Sequence, residues 1–277
     1  MMEVTAYIVT KNRPQLLERS VLSVIKQTYP VSELIVIDDC SSDDTKNVVS
    51  ELINKYPIIN YYRLNVPSGA CVARNTAIKF AKFKYIAGLD DDDEWSPFRI
   101  EYFFKYYTPQ HSFITSRNRI ITKSKFTKTT YSPKIIRFKD MLSTNFAGNQ
   151  IFTETYKLRE IGGFDENLSA AQDYDMYLRL CEKFGPGKCL KASLQKVYQN
   201  AEINRITDKA KLGYINFYFK HIDKFNKKNK IAQIFRIKQI TNSKIKLSYL
   251  FYAPNIYVLL KMVKYILNNG MRRINIK

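Results

Sequence analysis

Four consecutive aspartates, Asp90 to Asp93, follow directly on the apolar run Tyr85-Ile86-Ala87-Gly88-Leu89 and stand directly before Glu94-Trp95-Ser96-Pro97. Carboxylates this close repel one another, so a folded chain keeps them together where a cation or solvent relieves the repulsion. An oxygen-rich cluster at the end of a strand suits Mg²⁺ or Mn²⁺, hard ions that take one or two carboxylates and complete their shell with water and substrate phosphates. The same residues admit a second reading as an acidic, solvated turn capping the next helix. Asp and Ser are good N-caps, and proline is typical of a first helical turn.

The elements that must position such a cluster are legible upstream. Val4 to Thr10 reads as a buried strand, and Arg13 to Gln27 carries Leu16, Leu17, Val21, Val24 and Ile25 at helical spacing. Leu34 to Ile37 is a second buried strand ending in Asp38-Asp39, and Ser41-Ser42-Asp43-Asp44 introduces a helix to about Lys55. Asn60 to Leu64 is a third strand, Cys71 to Phe83 a helix, and Tyr85 to Leu89 the strand that carries the aspartates. Strands alternating with helices imply a parallel, doubly wound sheet, in which ligands bind beyond the carboxyl ends of the strands. Thr10-Lys11-Asn12, Asp38-Asp39 and Asp90 to Asp92 all fall on that edge. Further along, a helix is expected from Pro97 to about Tyr106, one or two strands around Ser112 to Ile121, and a loop or hairpin through the Lys/Thr-rich segment Thr122 to Thr130. Gly162-Gly163-Phe164-Asp165 then makes a turn before a helix that opens on Gln172-Asp173-Tyr174-Asp175, with acids at its positive end.

Length and composition bound the rest. A chain of 277 residues with 45% hydrophobic content can bury a sizeable core in one large or two small domains and is not intrinsically disordered. Four cysteines without a CxxC pair, and only His111 and His221, argue against a disulfide scaffold and against zinc. The N-terminus shows no basic segment leading into a long apolar stretch, so the expected address is the cytoplasm. Of the net charge of +20, residues 204–277 carry 17 Lys and Arg against Asp208 and Asp223. This tail is a separate electrostatic unit that will attract a polyanion: an anionic membrane leaflet, nucleic acid or a diphosphate-bearing substrate.

In order and spacing, Tyr7-Ile8-Val9-Thr10-Lys11-Asn12-Arg13, Gln27-Thr28-Tyr29, Ile35-Val36-Ile37-Asp38-Asp39-Cys40-Ser41-Ser42-Asp43, Ala73-Arg74-Asn75, Leu89 to Trp95 and Gly162-Gly163-Phe164-Asp165 resemble the family 2 inverting glycosyltransferases of GT-A fold. The resemblance stops near residue 200. It implies a Rossmann-like α/β catalytic domain over 1–203, with a nucleotide-binding half (1–95) and an acceptor half (96–203); residues 204–277, beyond it, read from their own charge and pattern as a mainly helical basic extension. It further implies a UDP-sugar donor, with Asp39 accepting from the uracil imide, Thr10 and Asn12 lining the nucleotide pocket and Arg74 facing the diphosphate. The family's DxD pattern maps onto Asp90-Asp91-Asp92. Asp92 then contacts Mn²⁺ or Mg²⁺ and Asp90 the ribose or a metal-bound water, with Asp91 and Asp93 as neighbours in a register ambiguous by one. Asp173 is the expected base that deprotonates the acceptor hydroxyl, although Gln172 stands where the family commonly has Glu. Trp95 is a candidate to stack on a sugar or to anchor the core, and Asn149 and Gln150 are candidates for the acceptor pocket.

Leu247 to Leu267 is nearly continuous in apolar character, but Pro254, Asn255, Lys261 and Lys264 interrupt it, which favours an interfacial arrangement over a membrane span. Packing of this segment on the catalytic core is the other reading. The expected activity is therefore an inverting, metal-dependent transfer of a hexose or N-acetylhexosamine to a saccharide or lipid-diphosphate-linked acceptor in bacterial surface-polysaccharide synthesis, at the inner face of the cell membrane. A basic nucleic-acid-binding module and a metal-dependent phosphohydrolase are the competing functions. Aspartates at the ligand edge argue against the first, since they would repel a phosphate backbone, and no nucleic-acid partner is expected.

Overall fold

The computed structural model describes residues 2–122, 127–199 and 208–274. Part of the Lys/Thr-rich segment and the expected boundary at residues 203 and 204 lie outside the described residues. In chain order the elements are β1 (Val4–Thr10), α1 (Pro14–Ile25), β2 (Glu33–Asp38), α2 (Thr45–Lys55), β3 (Ile59–Arg63), α3 (Ala70–Phe80), β4 (Tyr85–Asp90), β5 (Glu94–Trp95), α4 (Arg99–Tyr106), β6 (Ile114–Thr122), β7 (Thr127–Thr129), β8 (Ile135–Ile136), α5 (Phe138–Met141), β9 (Phe152–Glu154), α6 (Thr155–Glu160), α7 (Gln172–Phe184), β10 (Gly187–Gln199), α8 (Asp208–Lys220), α9 (Lys227–Ile240) and α10 (Ile256–Ile274). Two short 3₁₀ turns, Ile222–Lys224 and Leu247–Tyr252, lie among the last three helices. The chain divides into two compact units, one of Met1–Arg137, Phe146–Glu166 and Gln172–Glu202, the other of Phe138–Asn145, Asn167–Ala171 and Ile203–Lys277.

The first unit is built on one sheet in the order β3-β2-β1-β4-β9-β6-β10-β5. Its first four strands are parallel, as the alternation of strands and helices requires. Beyond β4 the sheet turns mixed: β9 runs antiparallel to β4 and to β6, and β10 runs parallel to β6. The parallel order expected from residues 4–89 holds through β1 to β4 and gives way to a mixed sheet beyond them. β9 is three residues long and feeds straight into α6, too short a segment for a period-2 pattern to announce its direction.

Strand alternation decides what each face meets. Val4, Ala6 and Ile8 of β1, Leu34 and Val36 of β2, and Tyr85, Ala87 and Leu89 of β4 enter a core with Leu17, Val21 and Val24 of α1, Val49 and Leu52 of α2, and Ile100 and Phe103 of α4. At about 25 cal/mol per Å² of apolar surface removed from water, this layer is the main support of the unit. The alternate residues, among them Tyr7 and Gly88, point to the opposite face, where α3 packs on β1 and β2.

The second unit has its own small core, Ala232 and Phe235 of α9 against Val258 and Met262 of α10, with Tyr265 partly buried beside them. Gln233 Nε2 donates to the Leu142 carbonyl at 2.8 Å, which ties α9 to the segment after α5. The other face of α10 is uncovered: Ile256, Leu260, Val263 and Leu267 are exposed, and Phe251 just before it is 85% exposed. Among the described residues no helix is long and apolar enough to cross a membrane.

Candidate active site

The carboxyl ends of β1, β2 and β4 bring the three polar clusters to one edge, and the run of four aspartates is divided there by backbone geometry. Successive residues leave a strand end on opposite sides. Asp90 turns toward α3, where its Oδ1 accepts from Arg74 Nη2 at 2.9 Å and from Gln150 Nε2 at 2.9 Å. Asp91 turns toward α1, where it accepts from Thr10 Oγ1 at 2.8 Å and Arg13 Nη1 at 3.0 Å. Asp93 is nearly fully buried and accepts from Asn149 Nδ2 at 3.0 Å, Gln195 Nε2 at 3.0 Å and the Tyr198 backbone N–H at 3.1 Å. Asp92 is the most open of the four, its side chain 34% exposed, with Arg13 Nη1 at 3.4 Å.

The run is thus not a solvated cap. Asp91 and Asp93 are buried, and α4 begins after Phe98 without any side-chain cap. The turn is held instead through its backbone, with Ser20 Oγ of α1 within 2.8 Å of the Asp91 carbonyl and 2.7 Å of the Asp93 carbonyl. Burial, reinforced by the charges of Asp90 and Asp92, pushes the Asp93 carboxyl up to about 7. Burial also raises Asp91, against the opposing pull of Arg13 and the Thr10 hydroxyl.

Arg74 sits at the centre of the α3 side. Its guanidinium reaches Asp90 at 2.9 Å, faces Asp173 Oδ1 of α7 at 4.0 Å and lies over the Phe164 ring at 5.3 Å. Asp173 Oδ1 is buried and makes no hydrogen bond. Burial lifts this carboxyl to about 6, with Arg74 pulling it down and Asp90 pushing it up. Asp173 does not cap α7; it lies within the first turn, where the helix dipole favours an anion. Asp175, two residues on, is wholly buried and paired with Arg179 at 2.6 Å, a structural ion pair.

α3 and the Gly162-Gly163 turn are joined by Asn75, which accepts from the Phe164 N–H at 2.8 Å and donates to the Phe164 carbonyl at 2.9 Å. Gly163, at φ +67, brings the turn so close that a Cβ would strike Asn75. Gly88 plays the same part under Asp90, since a Cβ there would strike both the Gln150 amide and the Tyr7 ring. Burial raises the Tyr7 phenol far above its ordinary range, so it stays neutral beneath Arg74, Asp90 and Asp173.

On the β2 side, Asp39 accepts from the Ser68 N–H at 2.6 Å and the Gly69 N–H at 3.1 Å, with Lys11 Nζ at 3.3 Å. Asp38 is fully buried and accepts from Tyr61 and the Ser41 N–H, so the two neighbours divide into an inner brace and an outer group. Asn12 is exposed at φ 54 and crosses to the β2 loop, accepting from the Ser42 N–H at 2.8 Å.

Thr10, Asp90, Asp91, Asp92, Arg74, Asn149 and Asp173 are therefore brought together, while Asn12 and Asp39 gather at the neighbouring β2 loop. Asn149 bridges Asp90 and Asp93, the former at 3.3 Å, and takes the Tyr177 hydroxyl on its carbonyl. Trp95 is placed in the core, only 3% exposed, among Ile100 and Phe103. Sequence reasoning assigned no role to Tyr7, Arg13, Gln195 or Tyr198. Tyr7 and Arg13 stood inside a quoted motif; Gln195 and Tyr198 carried no signal, because only the pairing of β10 with β5 brings them to Asp93.

The side chains of the run offer only carboxylate oxygens, the donor type that hard divalent ions take. Asp90 and Asp92 are the two partly exposed carboxylates of the run, at 26% and 34%, whereas Asp91 and Asp93 are buried. Among the described residues no group of three or more Asp, Glu, His or Cys is arranged to hold a metal unaided.

In such α/β sheets the carboxyl ends of the strands are where ligands bind. Residues 5–164 match glycosyl transferase family 2. A glycosyl transferase of Escherichia coli (strain K12) named for colanic acid biosynthesis, WcaA, is 34% identical over 257 residues, covering 87% of this chain and 89% of that protein. A UDP-Glc:alpha-D-GlcNAc-diphosphoundecaprenol beta-1,3-glucosyltransferase of Escherichia coli, WfaP, is 30% identical over 65% of this chain and 70% of its own length. The crystal structure of S. aureus TarS 1-349 in complex with UDP superposes with a TM-score of 0.64 over 97% of this chain and 89% of that one, at 17% identity. The chain belongs to glycosyl transferase family 2 and is a glycosyltransferase, and that membership implies dependence on a divalent cation.

Proposed function

We propose that this enzyme transfers a hexose or N-acetylhexosamine from a UDP-sugar to a saccharide or lipid-diphosphate-linked acceptor, with inversion to a β-linkage, in the synthesis of a bacterial surface polysaccharide. The observation that carries the reading is the arrangement around Arg74: one buried guanidinium between Asp90 at 2.9 Å and the unbonded Oδ1 of Asp173 at 4.0 Å. A donor diphosphate and an acceptor hydroxyl have to meet across such a point. The activity for which WfaP is named, a UDP-sugar transfer onto a lipid diphosphate with β-linkage, and the UDP held by TarS support the donor and acceptor classes.

In this mechanism Asp39 accepts from the uracil imide, and Thr10 and Asn12 set the loops around the nucleotide. Arg74 bonds two diphosphate oxygens at once, which a planar guanidinium does well. Asp92 would hold Mn²⁺ or Mg²⁺, with Asp90 on a metal-bound water or the ribose, and the ion would neutralise the two phosphates as they leave. Asp173 Oδ1 takes the proton of the acceptor hydroxyl while that oxygen bonds the anomeric carbon and the bond to UDP breaks on the opposite side. A base raised to about 6 is still ionised at neutral pH and retains useful basicity. Asn149 and Gln150 keep Asp90 oriented.

The exposed apolar residues of α10 and the basic character of 204–277 support a place on the anionic inner face of the cell membrane. Ile256, Leu260, Val263 and Leu267 recur at helical spacing on one face, with Lys261 and Lys264 beside them. The test of the activity is incubation with a panel of UDP-sugars, Mn²⁺ or Mg²⁺ and lipid-diphosphate acceptors, followed by mass analysis and NMR of the product. Release of phosphate without a glycosylated product, or an α-linked product, would overturn the proposal.

A further inference from the structure

The Asn149 amide holds two of the four aspartates at once, Nδ2 donating to Asp90 Oδ2 at 3.3 Å and to Asp93 Oδ2 at 3.0 Å. An amide nitrogen carries two hydrogens, and both are spent here. Ionised carboxylates accept and do not donate, so the nitrogen end must face them and the oxygen end must face away. That oxygen accepts from Asn118 Nδ2 of β6 at 2.9 Å. Gln195 shows how strong the carboxylate demand is, since its Nε2 stays on Asp93 at 3.0 Å while its buried Oε1 has no hydrogen bond. Asn118 is itself fixed in place. It is 8% exposed, its backbone N–H donates to Thr130 Oγ1 at 2.8 Å and its carbonyl accepts from the Thr130 N–H at 3.0 Å. It also stands opposite Gln195 in the pairing of β6 with β10, so one row of the sheet directs two carboxamides toward the aspartate turn.

We infer that Asn118 is a positioning residue for sugar transfer, acting through Asn149: it fixes which end of that amide faces Asp90 and Asp93, and thereby the direction of the carboxylates at the donor diphosphate. The inference rests on the donor site proposed above. With the Asn118 donor in place, a turned Asn149 would set its oxygen against two carboxylates and its nitrogen against another N–H donor, losing three hydrogen bonds together. Without that donor, only the two aspartates hold the amide, and Asp90 keeps Arg74 and Gln150 but loses its fixed link to Asp93. Groups one step removed from a metal site commonly change its affinity by 10- to 100-fold when they are replaced.

Two substitutions that leave the backbone bonds to Thr130 in place test this. Asn118→Ala removes the donor, and Asn118→Asp replaces it with a carboxylate that competes with Asp90 and Asp93 for Asn149 Nδ2. The second has an informative sign: an added negative charge alone would tighten Mn²⁺ binding, whereas a misdirected amide loosens it. Full-length protein is titrated with Mn²⁺ in the presence of UDP, the bound ion being read by electron paramagnetic resonance without turnover, and donor KM and kcat are measured alongside. The expected result is a dissociation constant for Mn²⁺ raised about tenfold in both variants, with the effect on transfer falling more on donor KM than on kcat. In an Asn149→Ala background, Asn118→Ala should add less than about twofold, because the residue it acts through is already gone. Circular dichroism checks folding, and the Asn118→Ala cycle decides the matter if Asn118→Asp does not fold. No uptake of Mn²⁺ with UDP by the wild type would overturn the donor site and this inference with it. Wild-type uptake that Asn118→Ala leaves unchanged, tighter binding in Asn118→Asp, or independent effects of Asn118→Ala and Asn149→Ala would overturn this inference alone.

Discussion

Replacing Asp173 by Asn separates what this side chain gives to the reaction from what it costs the fold. Its carboxyl, ordinarily near 3.8, is lifted to about 6 chiefly by burial. Each pH unit is worth about 1.4 kcal/mol, so keeping the buried group ionised at pH 7 costs the folded state about 3 kcal/mol. The sign follows from proton counts. Between about pH 4 and 6 the folded chain binds the proton and the unfolded chain does not, so this group's contribution falls as pH rises and reaches its full penalty above about 6. Asn keeps the shape without the charge. Asp173→Asn is therefore expected to raise unfolding stability by about 3 kcal/mol at pH 7, about half as much at pH 5, and hardly at all near pH 4. Turnover is expected to fall by roughly 10²-fold or more, with donor affinity nearly unchanged, because the acceptor proton loses its base. Wild-type kcat should drop through an acid limb near pH 6, and that limb should vanish in the variant. Denaturant titrations at the three pH values and single-turnover transfer assays measure both arms. Equal stability gains at pH 7 and pH 4, or near-normal turnover with the same β-linked product, would refute the assignment.

Asp92→Ala is expected to remove metal-dependent UDP-sugar binding and to lower transfer by about 10² to 10³-fold while the protein stays folded; full activity of the variant in excess EDTA would exclude the metal role. Gly88→Ala drives a Cβ into Gln150 and Tyr7, and should cost about 1–3 kcal/mol in urea unfolding and loosen Asp90, which a raised donor KM would register. Leu260→Ser with Leu267→Ser should weaken partitioning onto anionic vesicles by roughly tenfold without changing transfer to a soluble acceptor, and binding of the wild type should fall with salt. Equal sedimentation with neutral and anionic vesicles at low salt would remove the electrostatic part of that reading.

Local pattern determined a good deal here. The continuous apolar runs of β1, β2 and β4 and the helical spacing between them give the parallel strands and their helices, because those strands are buried on both faces and each helix shows one apolar stripe. The order of Thr10-Lys11-Asn12, Asp38-Asp39, Arg74-Asn75, Asp90 to Asp93 and Gly162-Gly163-Phe164 was enough to place the chain in its family. What the sequence could not convey is the division of labour within the runs. Four adjacent aspartates look alike in one dimension, yet alternation at the end of β4 sends Asp90 to Arg74 and Asp91 to Thr10 and Arg13. The turn that follows buries Asp93 against Gln195 and Tyr198, residues more than 100 positions away. Asp38 and Asp39 divide likewise, Asp38 taking Tyr61 and the Ser41 N–H and Asp39 the Ser68 and Gly69 N–H groups. Trp95, equally suited by chemistry to a sugar or to a core, went to the core because β5 pairs with β10 over α1. Asp173 gained its raised carboxyl only where the packing of α7 buries it beside Asp90, against the opposing pull of Arg74. Spacing along the chain determines which groups are present and which elements carry them; long-range strand pairing and helix packing determine which neighbours they keep, and those neighbours set the burial and charge on which the chemistry depends.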